Sequence, residues 1–444
     1  MGLLTHRAIT PDLASLARLH TAGRKTRRAS PRRRGRPLSV LLCFAACLGI
    51  AAAASASDWP QFRGPARDGI SAETGWLAAW PAEGPKVLWH APVGVGFSAV
   101  SVAGGRVYTL GAKDKNETVW CLKADTGEVV WKDTTRFEEL DAAHPGPRST
   151  PTVEGDRVYT LGNAGRLAAC DAASGKVAWA VDLYKDLRGK APRHGYNSCP
   201  LILGDRLVVE AGADDGNASI VAFDKTTGKL LWKSGKHMVG NSSPIAYSLG
   251  GETFLAVFTG DALVGLKPDT GEEVWVYPWK IDYESSNAMP IVSGTRLFIS
   301  AVEKKGAALL DLASGQPKEV WKSQEFSNHF ATSVLWKGCL YGLDGDIRAK
   351  LSLRCADFET GKVKWAQAAP DKAFGGNFAF ADGKLIVLWG SGEMAVCEAS
   401  PDGYKELAKT RLPKGAWWTV PVLSGGRLYV RSAEGDVLCL DLRQ

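Results

Sequence analysis

Residues 222–232 read Ala222-Phe-Asp-Lys-Thr-Thr-Gly-Lys-Leu-Leu-Trp232. An apolar strand end runs into a polar turn closing on Gly228, and a second strand ends in a large aromatic. Glycine takes a positive φ at low cost, and Asp and Thr side chains bond the local backbone in such turns. One hairpin of this kind is a weak signal, but the chain repeats it. Cys121–Trp131 is C-L-K-A-D-T-G-E-V-V-W, Ala169–Trp179 is A-C-D-A-A-S-G-K-V-A-W, Gly265–Trp275 is G-L-K-P-D-T-G-E-E-V-W, and Cys355–Trp365 is C-A-D-F-E-T-G-K-V-K-W. Leu309–Trp321 has the same form with two extra residues around Pro317. Cys397–Leu407 keeps Gly403 but ends in Leu, and a last copy starts at Cys439, five residues before Gln444.

From Trp131 to Trp365 the terminal aromatics lie 48, 53, 43, 46 and 44 residues apart, and Leu407 follows at 42. A second unit precedes the motif, an apolar strand, a turn and another strand, as in Pro151–Thr160, Pro200–Val209 and Pro421–Val430. Each period therefore holds four short strands, which is one propeller blade. The count predicts an all-β, eight-bladed β-propeller over 97–444. The eighth copy lacks its last strand, and the isolated Lys86-Val-Leu-Trp89 supplies one, closing the ring from the N-terminal side. An open solenoid would leave Trp89 without a role.

The A-x-D-x-x-T-G-x-x-x-W pattern resembles the tryptophan-docking motif of PQQ-like propeller repeats, the quinoprotein alcohol dehydrogenase-like superfamily. The resemblance spans the mature chain. The arm Trp59-Pro-Gln-Phe-Arg-Gly-Pro65 is similar to the N-terminus of secreted bacterial PQQ-like repeat proteins. The resemblance implies that Trp89, Trp131, Trp179, Trp232, Trp275, Trp321 and Trp365 staple neighbouring blades. It also implies two functional classes. One is the PQQ-dependent alcohol or aldose dehydrogenase, with a quinone over a Trp floor, Ca²⁺ and an Asp base. Many such enzymes carry a disulfide between adjacent cysteines, and this chain has no Cys-Cys dipeptide. The other is the non-catalytic propeller lipoprotein of the outer-membrane β-barrel assembly machinery, which serves protein contacts. The scaffold class is the expectation here, with no cofactor; PQQ with Ca²⁺ belongs to the alternative.

The formal charge of +7 is carried by the N-terminal segment. Residues 1–37 hold ten Lys or Arg and one acid, residues 38–57 hold no charge, and the remainder has 44 basic against 46 acidic side chains, net −2. No basic nucleic-acid face is indicated. The basic stretch, the apolar run Leu38–Ala54 and Ala54-Ser-Ala56 describe a signal peptide over 1–56, cleaved near Ala56. The Arg pairs at 27–28 and 33–34 lack a full twin-arginine motif, and Phe44-Ala-Ala-Cys47 is a poor lipobox. The expectation is a periplasmic or secreted monomer with no transmembrane segment after cleavage. Residues 57–96 form an extended arm and the closing strand. Seven cysteines remain, mostly at the first motif position; that placement predicts buried apolar residues, not disulfides or zinc ligands.

Chemistry is expected in the linkers before the inner strands. Asn197, Asn241 and Asn287 each stand three residues before a Pro; Asn328 and Asn377 match without it; Arg148, Trp418 and Phe97 take the remaining places. Eightfold geometry predicts a ring of one Arg, five Asn, one Trp and one Phe around the channel mouth. His144, His194, His237 and His329 lie in the same linkers, with Arg193, Tyr196, Tyr283, Glu284 and Trp417. The set predicts a polar, aromatic-trimmed funnel for a small organic ligand or an envelope protein. Turn capping by each Asn is the alternative. A metal on His144, His194 and His237, or calcium on Asp214–Asn217 or Asp344–Asp346, is less expected than loop and turn roles. No G-x-S-x-G, H-E-x-x-H or P-loop motif occurs, so no catalytic residue is assigned.

Overall fold

The motif hairpins fold with a bulge one residue before the tryptophan. In the opening copy Ala222 faces Trp232 and Phe223 faces Leu230, so Leu231 is the extra residue. The same shift occurs at Trp131, Trp179, Trp275, Trp321 and Trp365. A bulge raises the local twist and re-aims the side chain beside it. The indole thereby leaves its own blade for the next one. Trp131 Nε1 donates to Ala172 O at 2.9 Å, Trp179 to Lys225 O at 3.0 Å, Trp232 to Pro268 O at 2.9 Å, Trp321 to Phe358 O at 3.0 Å and Trp365 to Ser400 O at 2.8 Å.

The computed structural model describes residues 58–444 except 82, 213–217, 283–285, 303–304, 346–349 and 371–373. The expected signal peptide, the Asp214–Asn217 turn, Tyr283, Glu284 and Asp346 lie outside the described residues. Eight sheets follow one another along the chain, each built on a four-stranded meander, and the seventh gains Ile70–Ser71 as a fifth edge strand. They begin at Ser101, Thr152, Leu201, Ile245, Ile291, Val334, Gly376 and Val422 and are blades 1 to 8. The described residues hold one short helix, Leu183–Asp186, capped by the Asp182 side chain. No described helix is long and apolar enough to cross a membrane.

Ring closure follows the sequence expectation. The strand Val87–Pro92 pairs antiparallel with Asp436–Asp441, Trp89 faces Cys439, and Trp89 Nε1 reaches Ala124 O of blade 1 at 2.9 Å. Arg431, wholly buried, adds a clamp at the same seam through Ser98 O, Thr109 Oγ1 and Gly94 O. The seven cysteines are free and buried. Cys121, Cys355 and Cys439 lie opposite a motif tryptophan, where a small residue leaves room for the ring.

Two motif copies depart from expectation. Trp275 packs in the core shared by blades 4 and 5 but makes no hydrogen bond to a blade 5 carbonyl among the described residues; its Nε1 bonds Tyr247 Oη at 3.1 Å within its own blade. The two extra residues of the Leu309–Trp321 copy alter the turn that would receive it, and no atom lies within 4 Å of where a Gly315 side chain would start. In blade 7 the bulged residue is Leu407 itself, so Ala408, facing Val396, holds the tryptophan position. Trp76 of the arm enters the core between blades 7 and 8 instead, packed with Leu407, Ala408 and Leu440.

The arm touches every blade. Trp59 exchanges hydrogen bonds with Val102, and Pro60 O accepts from Val153. Arg67 donates to Cys199 O and Pro200 O, and Phe62 packs on the cluster of blades 4 and 5. Arg63 donates to Thr332 O and Ser333 O, Ile70–Ser71 pairs parallel with Phe380–Ala381, and Glu73 accepts from Gly425 and Gly426. All these partners sit on or beside the inner strands, so the arm is a stopper across the central channel. Burial lowers the Arg63 and Arg67 guanidinium pKa values to about 10, with the Asp68 charge only partly opposing it at Arg63, well short of discharge at neutral pH.

Candidate functional site

The linkers entering the inner strands are irregular, and their side chains converge where the strands begin. Together they enclose a cavity of about 520 Å³ whose floor includes Phe62 of the arm. The arm thus makes the funnel blind. Its wall divides into two halves according to which linker supplies it.

The linkers into blades 6, 7, 8 and 1 supply aromatic rings. Phe97 and Phe330 stack on Trp418 with centroids at 5.2 and 5.4 Å and interplanar angles of 23° and 13°. Phe374 meets Trp418 edge-on at 5.0 Å. His329 stacks on Phe330 at 3.8 Å, and the Arg148 guanidinium lies 5.2 Å from the Phe97 centroid. The result is one contiguous cluster of Phe97, Trp418, Phe330, Phe374 and His329, with Arg148 beside Phe97. Each stacked or cation–π contact contributes about 0.5–1.5 kcal/mol beyond burial.

The linkers into blades 2 to 5 supply polar groups. Asn197 Nδ2 donates to Asn241 Oδ1, and Asn287 lines the cavity beyond them. Next to Asn197 is an ion-paired knot. Asp141 Oδ2 bonds His194 Nδ1 at 2.7 Å and Arg148 at 2.9 Å, while its Oδ1 accepts from the backbone N–H groups of Ala143 and His144. Arg148 also donates to the carbonyls of Gly146, His144 and His194. Burial pushes the Asp141 carboxyl up, but the His194 hydrogen bond and the Arg148 charge outweigh it and hold the group below its ordinary range. Burial also depresses Arg148, with Asp141 and Glu139 opposing. Asp141 is the residue that the linker spacing did not reveal; it precedes Arg148 by seven positions and acts through the fold of a loop.

The structure brings Arg148, Asn197, Asn241, Asn287, His144, His194 and Trp418 together at the cavity, with Phe97, Arg193 and His329. Asn377 also borders it, but its side chain is spent on Trp418 O and its neighbour's backbone. Three expectations are corrected. Asn328 is withdrawn and buried, its amide donating to Leu343 O and accepting from Ser333, so His329 and Phe330 take its place on the wall. His237 lies elsewhere, beside Glu273 and Asp261, and a metal on His144, His194 and His237 has no geometric basis. The ring of five amides is therefore an amide half facing an aromatic half. Tyr196 and Trp417 are buried, bonded to Ala211 O and Pro413 O. Asp344 pairs with Arg354 at 2.9 Å.

Asp141, His144 and His194 do present three ligand atoms within 4.8 Å of one another. The Arg148 guanidinium already occupies the cation's place on Asp141. A quinone–calcium centre fits these residues poorly for the same reason. Asp141 is the sole carboxylate among the described lining residues, and both its oxygens are engaged.

Comparison with known proteins bears on both functional classes. A BamB of Burkholderia pseudomallei is 27% identical over 364 residues, covering 79% of this chain and 86% of that one. A quinoprotein ethanol dehydrogenase of Pseudomonas aeruginosa is 31% identical over 176 residues, but the match spans 36% of this chain and 27% of the enzyme. Among solved structures, BamB from Moraxella catarrhalis aligns with a TM-score of 0.60 at 16% identity, over 80% of this chain and 99% of that one. A quinohemoprotein alcohol dehydrogenase from Comamonas testosteroni aligns at 0.66 and 14% identity, over 88% and 81%. These last two establish likeness of fold. The family model described as outer membrane protein assembly factor BamB matches residues 69–147, 115–367 and 349–444, and the chain belongs to that family of PQQ-like propellers.

Proposed function

We propose that this protein is an exported, non-catalytic binding propeller of the cell envelope, which receives a ligand or a partner's segment in its blind funnel. The observation that carries the reading is the cavity wall. Its single described carboxylate is consumed by an arginine and a histidine, leaving no free acid among the described lining residues to act as base or to hold calcium, while an aromatic half and an amide half remain to recognise a molecule. The family match and the BamB relatives support an envelope role, and the charged leader and apolar run support export.

The test is direct. Purified mature protein is mixed with PQQ, Ca²⁺, an artificial dye acceptor and alcohols or aldoses. The expected result is no dye reduction, together with recovery of the native protein from the periplasmic fraction. Stoichiometric quinone binding accompanied by turnover would overturn the reading in favour of a quinoprotein dehydrogenase.

A further inference from the structure

We infer that the funnel is a saccharide-binding site, for one to three units of a neutral sugar. The inference rests on the binding-propeller reading and names the ligand class of that same cavity.

Three features point to it. First, hydrogen-bonding capacity is left over. Asn197 Oδ1 and Thr150 Oγ1 are buried side-chain atoms of the lining with no partner among the described residues. Buried acceptors of this kind cost about 1–3 kcal/mol unless a donor arrives. Trp418 Nε1 is not enclosed and makes no protein hydrogen bond among the described residues. Asn287 on the opposite half likewise keeps its side-chain amide without a hydrogen bond among the described residues and is not enclosed, so each half of the wall presents unused polar capacity to the cavity.

Second, the two halves match a pyranose. Its C–H faces are apolar and suit an aromatic wall, whereas each rim hydroxyl both donates and accepts, as the amides of Asn197 and Asn287 do. A cationic ligand finds no free anion among the described lining residues, because the guanidinium beside Asp141 already neutralises it.

Third, the cavity is blind. Phe62 belongs to its lining, and the arm that carries Phe62 crosses the inner strands of the ring, so the arm stands across one end of the channel. A polypeptide threaded along the axis would need an exit, whereas the end of a glycan does not. The volume falls within the ordinary range for small-ligand sites, roughly 300–1,000 Å³.

The experiment is titration calorimetry and indole fluorescence of the mature protein with cellotriose, maltotriose, xylotriose and chitotriose as probes. The expected result is saturable 1:1 binding of at least one trisaccharide with a change in tryptophan emission. Trp418→Phe, which keeps the stack and removes the N–H, should weaken it about fivefold, the loss of one hydrogen bond. Asn197→Ala should weaken it about tenfold, and Trp418→Ala should abolish it. If Trp418→Ala fails to fold, the two milder variants still decide. No binding of any probe at millimolar concentration, or binding indifferent to Trp418→Phe and Asn197→Ala, overturns the assignment. Peptide binding that is lost in those variants, with no sugar bound, would overturn the saccharide and leave the binding propeller standing. Quinone-dependent turnover would instead overturn the propeller's non-catalytic role.

Discussion

The indole of Trp89 rests on Gly127 so closely that a β-carbon there would come within 2.7 Å of the ring. One residue belongs to the closing strand and the other to the motif turn of blade 1, so the contact is the seam of the ring. The same stacking joins Trp131 to Gly175, Trp179 to Gly228, Trp232 to Gly271 and Trp321 to Gly361. Motif glycine and motif tryptophan are thus two halves of one joint, each contributed by a different blade.

Gly127→Ala should therefore cost more than Gly315→Ala, although both glycines have positive φ, 72° and 79°. Both substitutions carry the left-handed penalty of about 1–2 kcal/mol. Only Gly127 adds overpacking against a ring, about 1–3 kcal/mol more. Urea unfolding of the two variants checks the difference.

Trp232→Ala and Trp76→Ala should each lose about 3–5 kcal/mol, as truncation of a buried Trp does. For Trp76 this tests whether an arm residue stands in for the tryptophan that blade 7 lacks. Thermal unfolding of the two variants side by side is the measurement. A loss at Trp76 below about 1 kcal/mol would mean that the arm decorates the ring without bracing it.

Glu210 is buried in blade 3 with one oxygen on the Gly240 N–H, and burial pushes its carboxyl up to about 8. The folded state keeps this proton while the unfolded chain releases it near 4.5, so folding takes up a proton in between. Stability from this group is intact below about pH 4.5 and falls as pH rises toward 8. Glu210→Gln should remove that slope and be the more stable protein at pH 8, by a few kcal/mol at most. Melting curves from pH 5 to 9 for both proteins check it.

Asp141→Asn should leave the blades intact and loosen the funnel wall, because Arg148 and His194 lose a shared carboxylate. Since the Asp141 carboxyl is held below its ordinary range, its contribution is present at neutral pH and lost as pH falls through that lowered value. The expected loss at pH 7 is about 1–3 kcal/mol, shrinking at low pH. Faster proteolysis within 137–148 is the local readout.

Arg63→Ala should release the stopper. The side chain joins Arg67 O and Asp68 O of the arm to Thr332 O and Ser333 O of blade 6. Its removal leaves buried carbonyls unpaired, about 1–3 kcal/mol each, and opens the lower end of the cavity. Hydrogen exchange at residues 59–73 should rise while the outer strands remain protected.

The fold was legible because its signal is periodic. Eight copies of one hairpin spaced by a blade, and an orphan strand ending in Trp89, allow little except a closed ring. Where that reading slipped, the cause was local. Leu407 looked like the counterpart of a motif tryptophan by counting from Gly403, but the bulge shifted the register by one and put Ala408 there. Trp275 kept its place in the sequence and lost its carbonyl receptor, because blade 5 has a longer turn.

The site was legible as a location and less so as a composition. Counting back from each inner strand located Arg148, Asn197, Asn241, Asn287 and Trp418 at the cavity. It also selected Asn328, whose amide turns inward to pair with Leu343 and Ser333, and it passed over Phe330, Phe374 and Asp141.

The repeat alone determined the number of blades, the seam at Trp89 and the burial of the cysteines, since each follows from short-range patterns that every blade must satisfy to pack. Tertiary structure alone decided that the arm crosses the axis, that Phe62 lines the funnel, and that its wall is half aromatic and half amide. Linkers carry no periodicity, and a side chain's direction in them is set by whichever distant backbone group needs a partner.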